Sequence, residues 1–209
     1  MPATEGWTVA PGHGLLNIVW FVPIALWVAA LLVAAVAIWR APRPITLSVV
    51  IDKLLRYLFF FPLGVQGLWA FVGHVIYPQE SAASIGWAPS PFQYEVGVAN
   101  LGLALASFYA AFSGFQARAA TAIAVACFLV GAGLGHIQDI VDEGNFAPGN
   151  AGPIMITDFL TPIVILVLLL VLPRTQVKPA AMTTRLEEEL ETARKAIGSH
   201  RTSLRKPGK

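Results

Sequence analysis

Five apolar stretches dominate this chain, at Leu15–Trp39, Leu54–Tyr77, Phe92–Gly114, Ala119–Ile140 and Ile154–Leu172. A bilayer core of ~30 Å takes roughly 20 helical residues to cross, so each stretch approaches or meets the length of a span. Of the 209 residues 56% are hydrophobic and 12% are charged. A soluble domain carries about a quarter charged residues, and a core of this size could not hide so much apolar surface from water. The expected fold is all-α and integral to the membrane. It is a five-helix bundle within residues 1–178, followed by an amphipathic cytoplasmic helix and basic tail over 179–209.

The loops set an orientation. Arg40, Arg43, Lys53 and Arg56 flank the first connection, Arg118 lies in the third, and Arg174 and Lys178 follow the fifth stretch. The N-terminal segment, Pro78–Pro91 and Val141–Pro153 contain neither Lys nor Arg. Cationic loops are retained on the cytoplasmic side, so this alternation places the N-terminus outside and the C-terminus in the cytoplasm, as in a multi-pass protein of a bacterial inner membrane. Met1–Gly14 lacks the basic segment of a signal peptide and the first stretch is too long for one, so it reads as a retained span.

Prolines at 23, 62 and 162 are expected to bend the first, second and fifth spans. The row Gly102, Ala106, Ala110 and Gly114, and a second near Ala122, Ala126, Gly133 and His136, read as packing surfaces, with the third and fourth spans at the centre. Cys127, the one cysteine, reads as a small buried hydrophobe. Thr184 and Glu187 form a capping box that opens the C-terminal helix, whose Leu186, Leu190, Ala193 and Ile197 make an apolar stripe. The helix and its tail (Arg201, Arg205, Lys206, Lys209) are expected to meet anionic lipid or, by a short coiled coil, a second copy or a membrane-complex partner. Nucleic acid is not an expected partner.

Ionisable residues are scarce in the spans and converge on one depth. His74 ends the second, Glu95 begins the third, His136 and Asp139 end the fourth and Asp158 begins the fifth. Such groups are costly in lipid unless paired or wetted, which makes each a candidate for function. His136 and Asp139 share a face at i, i+3, as do Asp158 and Thr161, whereas Glu95 points away from the face of Gln93 and Asn100. Imidazole and carboxylate together suit a divalent metal, with His74, His136, Asp139 and Asp158 as ligands, although no compact metal motif is present. The same groups, with Glu95 and Asn100 in support, could relay protons. Haem between His74 and His136 ranks lower, because that face offers no Lys or Arg for the propionates. The outer loops, one aromatic around Trp87–Phe92 and one turn-rich over Asn145–Pro153, read as connectors before they read as a lid.

Pro91-Phe-Gln-Tyr-Glu-Val-Gly97, Gly135-His136, Asn145-Phe-Ala-Pro-Gly-Asn-Ala-Gly152 and Asp158 resemble a bacterial family of small multi-span inner-membrane proteins of unknown function. The resemblance runs from the second span through the fifth. The helical architecture is also faintly similar to DoxX-like membrane proteins. Both imply a membrane protein and neither implies a reaction. Three functions are therefore expected to compete: a polar, metal or small-ligand site at the outer span ends, a proton-coupled transporter, and a non-catalytic accessory subunit.

Overall fold

The computed structural model describes residues 20–175, 187–195 and 197, and among them it is helical with no strand. Seven helices follow in order over residues 20–175: α1 (Val22–Trp39), α2 (Leu47–Ile76), α3 (Pro78–Ile85), α4 (Phe92–Ala111), α5 (Phe115–Glu143), α6 (Pro148–Ala151) and α7 (Pro153–Thr175). Four candidate spans are long and apolar enough to cross a membrane: α1, α2, α5, and the stretch Pro148–Leu172 that joins α6 to α7. Their outward faces carry exposed Leu31, Leu32, Val36, Leu134, Ile163 and Leu170. In water such a surface would far exceed the apolar patch that a soluble monomer tolerates, so lipid is its solvent.

α1 begins with Pro23 in its first turn, where the missing N–H costs nothing, so this proline opens the helix rather than bending it. α2 starts earlier than its apolar run, capped by the Thr46 hydroxyl at 3.4 Å from the Val49 amide, and Lys53 and Arg56 lie inside it. Around Pro62 it widens into a π-helical segment, Phe59–Val65. Proline has no N–H to donate and its ring crowds the preceding turn, and a wider turn absorbs both.

α2 packs against α4 more extensively than α4 does against α5, the expected third and fourth spans. Glycine makes the α2–α4 contact close: a Cβ at Gly97 would fall 2.5 Å from Val75 Cγ2, and one at Gly67 would fall 3.1 Å from Ala104 Cβ. The residues buried on α4 are Gln93, Gly97, Asn100, Ala104, Ser107, Ala110 and Ala111, and Ala110 alone of these belongs to the expected row. Gly102, in the expected row, is exposed, with nothing within 4 Å of the space a Cβ would take. Polar Asn100 and Ser107 hide the packing face from a reading based on small residues alone. Cys127 is exposed rather than buried, because it lies on the outward side of α5.

The interior stripes of α5 and α7 change character along their length. On α5, Arg118, Ala122, Val125 and His136 are buried, and on α7, Asp158, Thr161, Ile165, Leu169 and Leu172 are. The apolar middles join Leu55, Leu58 and Phe59 of α2 in one core. The polar ends of α5 lie apart: Arg118 and His136 are separated by about 27 Å at 1.5 Å per residue. The C-terminal unit is separate, and residues 187–195 are helical, with Lys195 Nζ 3.3 Å from Glu191 Oε1. The expected cap at Thr184, the first stripe residue Leu186, the basic tail, and Lys178 lie outside the described residues.

Candidate functional site

His136 sits in the last turns of α5, 7% exposed. Its Nδ1 lies 2.6 Å from Oδ1 of Asn150, a fully buried residue of α6. The amide of Asn150 donates from Nδ2 to the His136 carbonyl at 3.3 Å and to the Asn145 carbonyl at 2.8 Å. Carbonyls only accept, so the amide cannot be turned round, and Oδ1 must be the group that faces the ring. The hydrogen-bond network thereby assigns a proton to His136 Nδ1.

Nε2, on the other side of the ring, faces Asp158 Oδ2 at 3.8 Å, with Asp158 3% exposed. That gap is too long for a direct hydrogen bond. Because Nδ1 already holds a proton, the pair is neutral overall only when it shares one more proton, on Nε2 or on the carboxyl. A lone pair opposite a bare carboxylate would leave a net charge buried, which is costly.

Two loops close over this pair by the same device. α3 ends at Gly86 (φ 86°) and α5 at Gly144 (φ 65°), both in the left-handed conformation that glycine adopts without a Cβ penalty. The next residues are Trp87 and Asn145. Trp87 stacks on His136, ring centroids 6.1 Å apart and 21° between planes, and donates from Nε1 to Asp139 Oδ2 at 2.9 Å. Asn145 Nδ2 donates to the same oxygen at 2.6 Å and to the Ile85 carbonyl at 2.8 Å. Asp139 therefore ties both loops to α5. α6 is held close to α3 because Gly149 has no side chain to strike the Ser84 carbonyl.

Of the residues expected from sequence, His136, Asp139 and Asp158 come together here. His74 belongs elsewhere: it is half-buried on the α2–α4 seam, with Nδ1 3.3 Å from Gln93 Nε2. Asn100 is buried on the same seam and bonds the Val96 carbonyl of its own helix at 2.9 Å. Glu95 is exposed. Among the described residues no three His, Cys, Asp or Glu side chains are grouped to hold a metal ion. The expected metal set is not assembled, and Asp139 is engaged by Trp87 and Asn145. The histidines proposed for haem each bond a different amide.

Sequence reasoning missed Trp87, Asn145 and Asn150, which it assigned to connectors. It also missed a second cluster at the other end of α5. Arg118, expected in a loop, is 3% exposed and donates to Asp52 Oδ1 at 2.8 Å and to the Ala110 and Ala111 carbonyls at 3.1 Å each. It thus caps the C-terminus of α4, where the helix dipole favours a cation. Lys53 and Arg56 lie 3.7 and 3.8 Å from Asp52. Asp52 and Arg56, spaced i, i+4, were the available signal.

An all-helical chain with four helices fit to cross a membrane, polar clusters at the ends and an apolar middle is a multi-pass membrane protein in class. The chain belongs to a family of unknown function, DUF6790, which matches residues 20–178. The family match carries neither a bacterial origin nor a likeness to DoxX-like proteins. No curated protein and no solved structure matches the chain.

Proposed function

We propose that this is a five-span protein of a bacterial inner membrane whose outer end carries a proton-linked small-ligand site, built on His136 and Asp158. The observation that carries the reading is the buried, facing pair at 3.8 Å, with the tautomer of one partner set by Asn150. A donor such as a hydroxyl, an ammonium or water placed beside this gap would reach both Nε2 and Oδ2, and its arrival or departure would move the shared proton. Trp87 covers the ring and keeps bulk water from it.

The fifth span is α4. Its 20 residues suffice for a crossing, and its polar Gln93, Asn100 and Ser107 turn toward the protein while Val98, Leu105 and Tyr109 turn outward. Loops without Lys or Arg adjoin His136, which supports placing it outside, and the Asp52–Arg118 cluster then lies on the cytoplasmic side.

The test is ¹⁵N NMR of histidine in the full chain in nanodiscs, alongside Asp158→Asn. The His136 ¹⁵N shifts should show a ring protonated at Nδ1, and the substitution should change the Nε2 shift while leaving Nδ1 protonated. Identical Nε2 shifts in the two proteins would sink the reading. A second reading, an accessory subunit in which these groups only fasten loops, draws on the bonds already made around Asp139 and Asn145. In that case proteoliposomes should show the same proton flux with and without His136→Gln and Asp158→Asn.

A further inference from the structure

The Asp52–Arg118 cluster carries more positive charge than it neutralises. One carboxylate, Asp52, stands among Arg118, Lys53 and Arg56, which leaves two cations in excess. Arg118 is engaged at every nitrogen, donating to Asp52 and to the Ala110 and Ala111 carbonyls. Lys53 and Arg56 are not. They stand 3.7 and 3.8 Å from Asp52, beyond hydrogen-bond reach, and Arg56 Nε is buried with no hydrogen-bond partner among the described residues. At i, i+3 the two share a face of α2, both half-buried. Cations held at the end of a membrane helix are costly unless an anion meets them. An apolar bed adjoins them. Phe112 lies under the Arg56 guanidinium, 5.7 Å from Cζ to the ring centroid, and Phe60 packs edge-on against Phe112 at 6.1 Å. Leu105, Tyr109 and Phe112 follow at i, i+4 and i+7, all exposed, over about 10 Å of α4 and its end.

From these observations we propose that this corner of α2 and α4 binds an anionic phospholipid, its phosphodiester taken by Lys53 and Arg56 and an acyl chain laid along Phe112, Tyr109 and Leu105. A guanidinium meets a phosphate through paired N–H···O bonds, and the ammonium adds a point charge beside it. The excess charge selects the lipid. A phosphatidylglycerol headgroup leaves the phosphate charge uncancelled, whereas phosphatidylcholine brings a further cation to a site that already has two in excess. The apolar bed selects a lipid over free phosphate, which has no chain to lay on it. The site uses none of the groups around His136 and works in either leaflet, so its failure would leave that reading untouched.

Energy transfer from the tryptophans of the full chain to pyrene-tailed phosphatidylglycerol, in non-ionic detergent micelles, tests it. Unlabelled phosphatidylglycerol should displace the probe at least about tenfold more effectively than phosphatidylcholine, and inorganic phosphate should not displace it. Lys53→Gln with Arg56→Gln should abolish the preference. Arg194→Gln with Lys195→Gln, which removes the same charge from the C-terminal helix, should keep it. Phe112→Ala, at an exposed position, should weaken phosphatidylglycerol binding severalfold while the chain stays folded. Equal displacement by the two lipids in the unsubstituted chain overturns the proposal whatever the variants do. Displacement by phosphate at the concentration of the lipid overturns it too, in favour of a free-anion site, as does an undiminished preference without Lys53 and Arg56.

Discussion

Arg118 and Asp52 form an ion pair whose two members are unequally hidden, 3% against 36% exposed, at 2.8 Å. Removing the exposed partner strands a buried guanidinium, whereas removing Arg118 leaves a carboxylate that still has Lys53 and Arg56 within reach. Asp52→Asn should therefore destabilise more than Arg118→Met, by about 2–3 kcal/mol against about 1–2. Thermal unfolding in detergent measures this, and the reverse order would refute it.

Asn150 supplies two donated hydrogen bonds and accepts one. In Asn150→Asp an ionised carboxylate would face two carbonyl oxygens, so the variant should lose about 2–4 kcal/mol near neutral pH. A protonated carboxyl can donate to one of them, so part of that loss should return as pH falls. Unfolding midpoints at several pH values, compared with Asn150→Ala, give the sign: only the aspartate variant should gain on acidification relative to wild type.

Trp87 serves the site through both its ring and its N–H. Trp87→Phe keeps an aromatic face and loses the bond to Asp139, at a cost of about 1 kcal/mol. Trp87→Ala loses both, about 3 kcal/mol or more. Hydrogen exchange of the amides over 78–91 should quicken in that order.

Glycine substitutions separate the two faces of α4. Gly97→Ala puts a methyl 2.5 Å from Val75 Cγ2 and should cost about 1–3 kcal/mol. Gly102→Ala meets nothing within 4 Å and should be neutral or stabilise by up to about 1 kcal/mol. Equal effects at the two positions would mean that α4 packs through another face.

Apolar runs and their lengths made the helices readable, since lipid requires both. The convergence of His136, Asp139 and Asp158 at one level was also readable, because helical rise fixes depth. The seam was not. Asn100 and Ser107 look like flaws in an apolar helix until α2 is seen beside them, and His74 was assigned to the wrong set of neighbours because depth says nothing about azimuth. Trp87, Asn145 and Asn150 were hidden by their context: each sits in a turn-rich segment whose composition is explained by chain reversal alone. The roles of Trp87 and Asn145 depend on segments 50 or more residues apart meeting, as Trp87 meets Asp139 across 52 positions and Asn145 meets Ile85 across 60.

The π-helical segment at Phe59–Val65 also divides α2 into two phases. An extra residue in a turn rotates everything after it by about 100° relative to an unbroken α-helix. Leu55 and His74, 19 positions apart, would lie about 100° out of phase in an unbroken helix, and the wider segment brings the face that carries Leu55 into the core into line with the face that carries His74 to Gln93. Deleting one residue within that segment would restore a regular helix and leave His74 on the seam, whereas regularising the helix at its full length would swing His74 off it by about 100°. The position of this imidazole is thus set by a miscount of one residue some ten positions away, and a substitution that regularised the helix there would be felt at His74 with no change in its own neighbourhood of sequence.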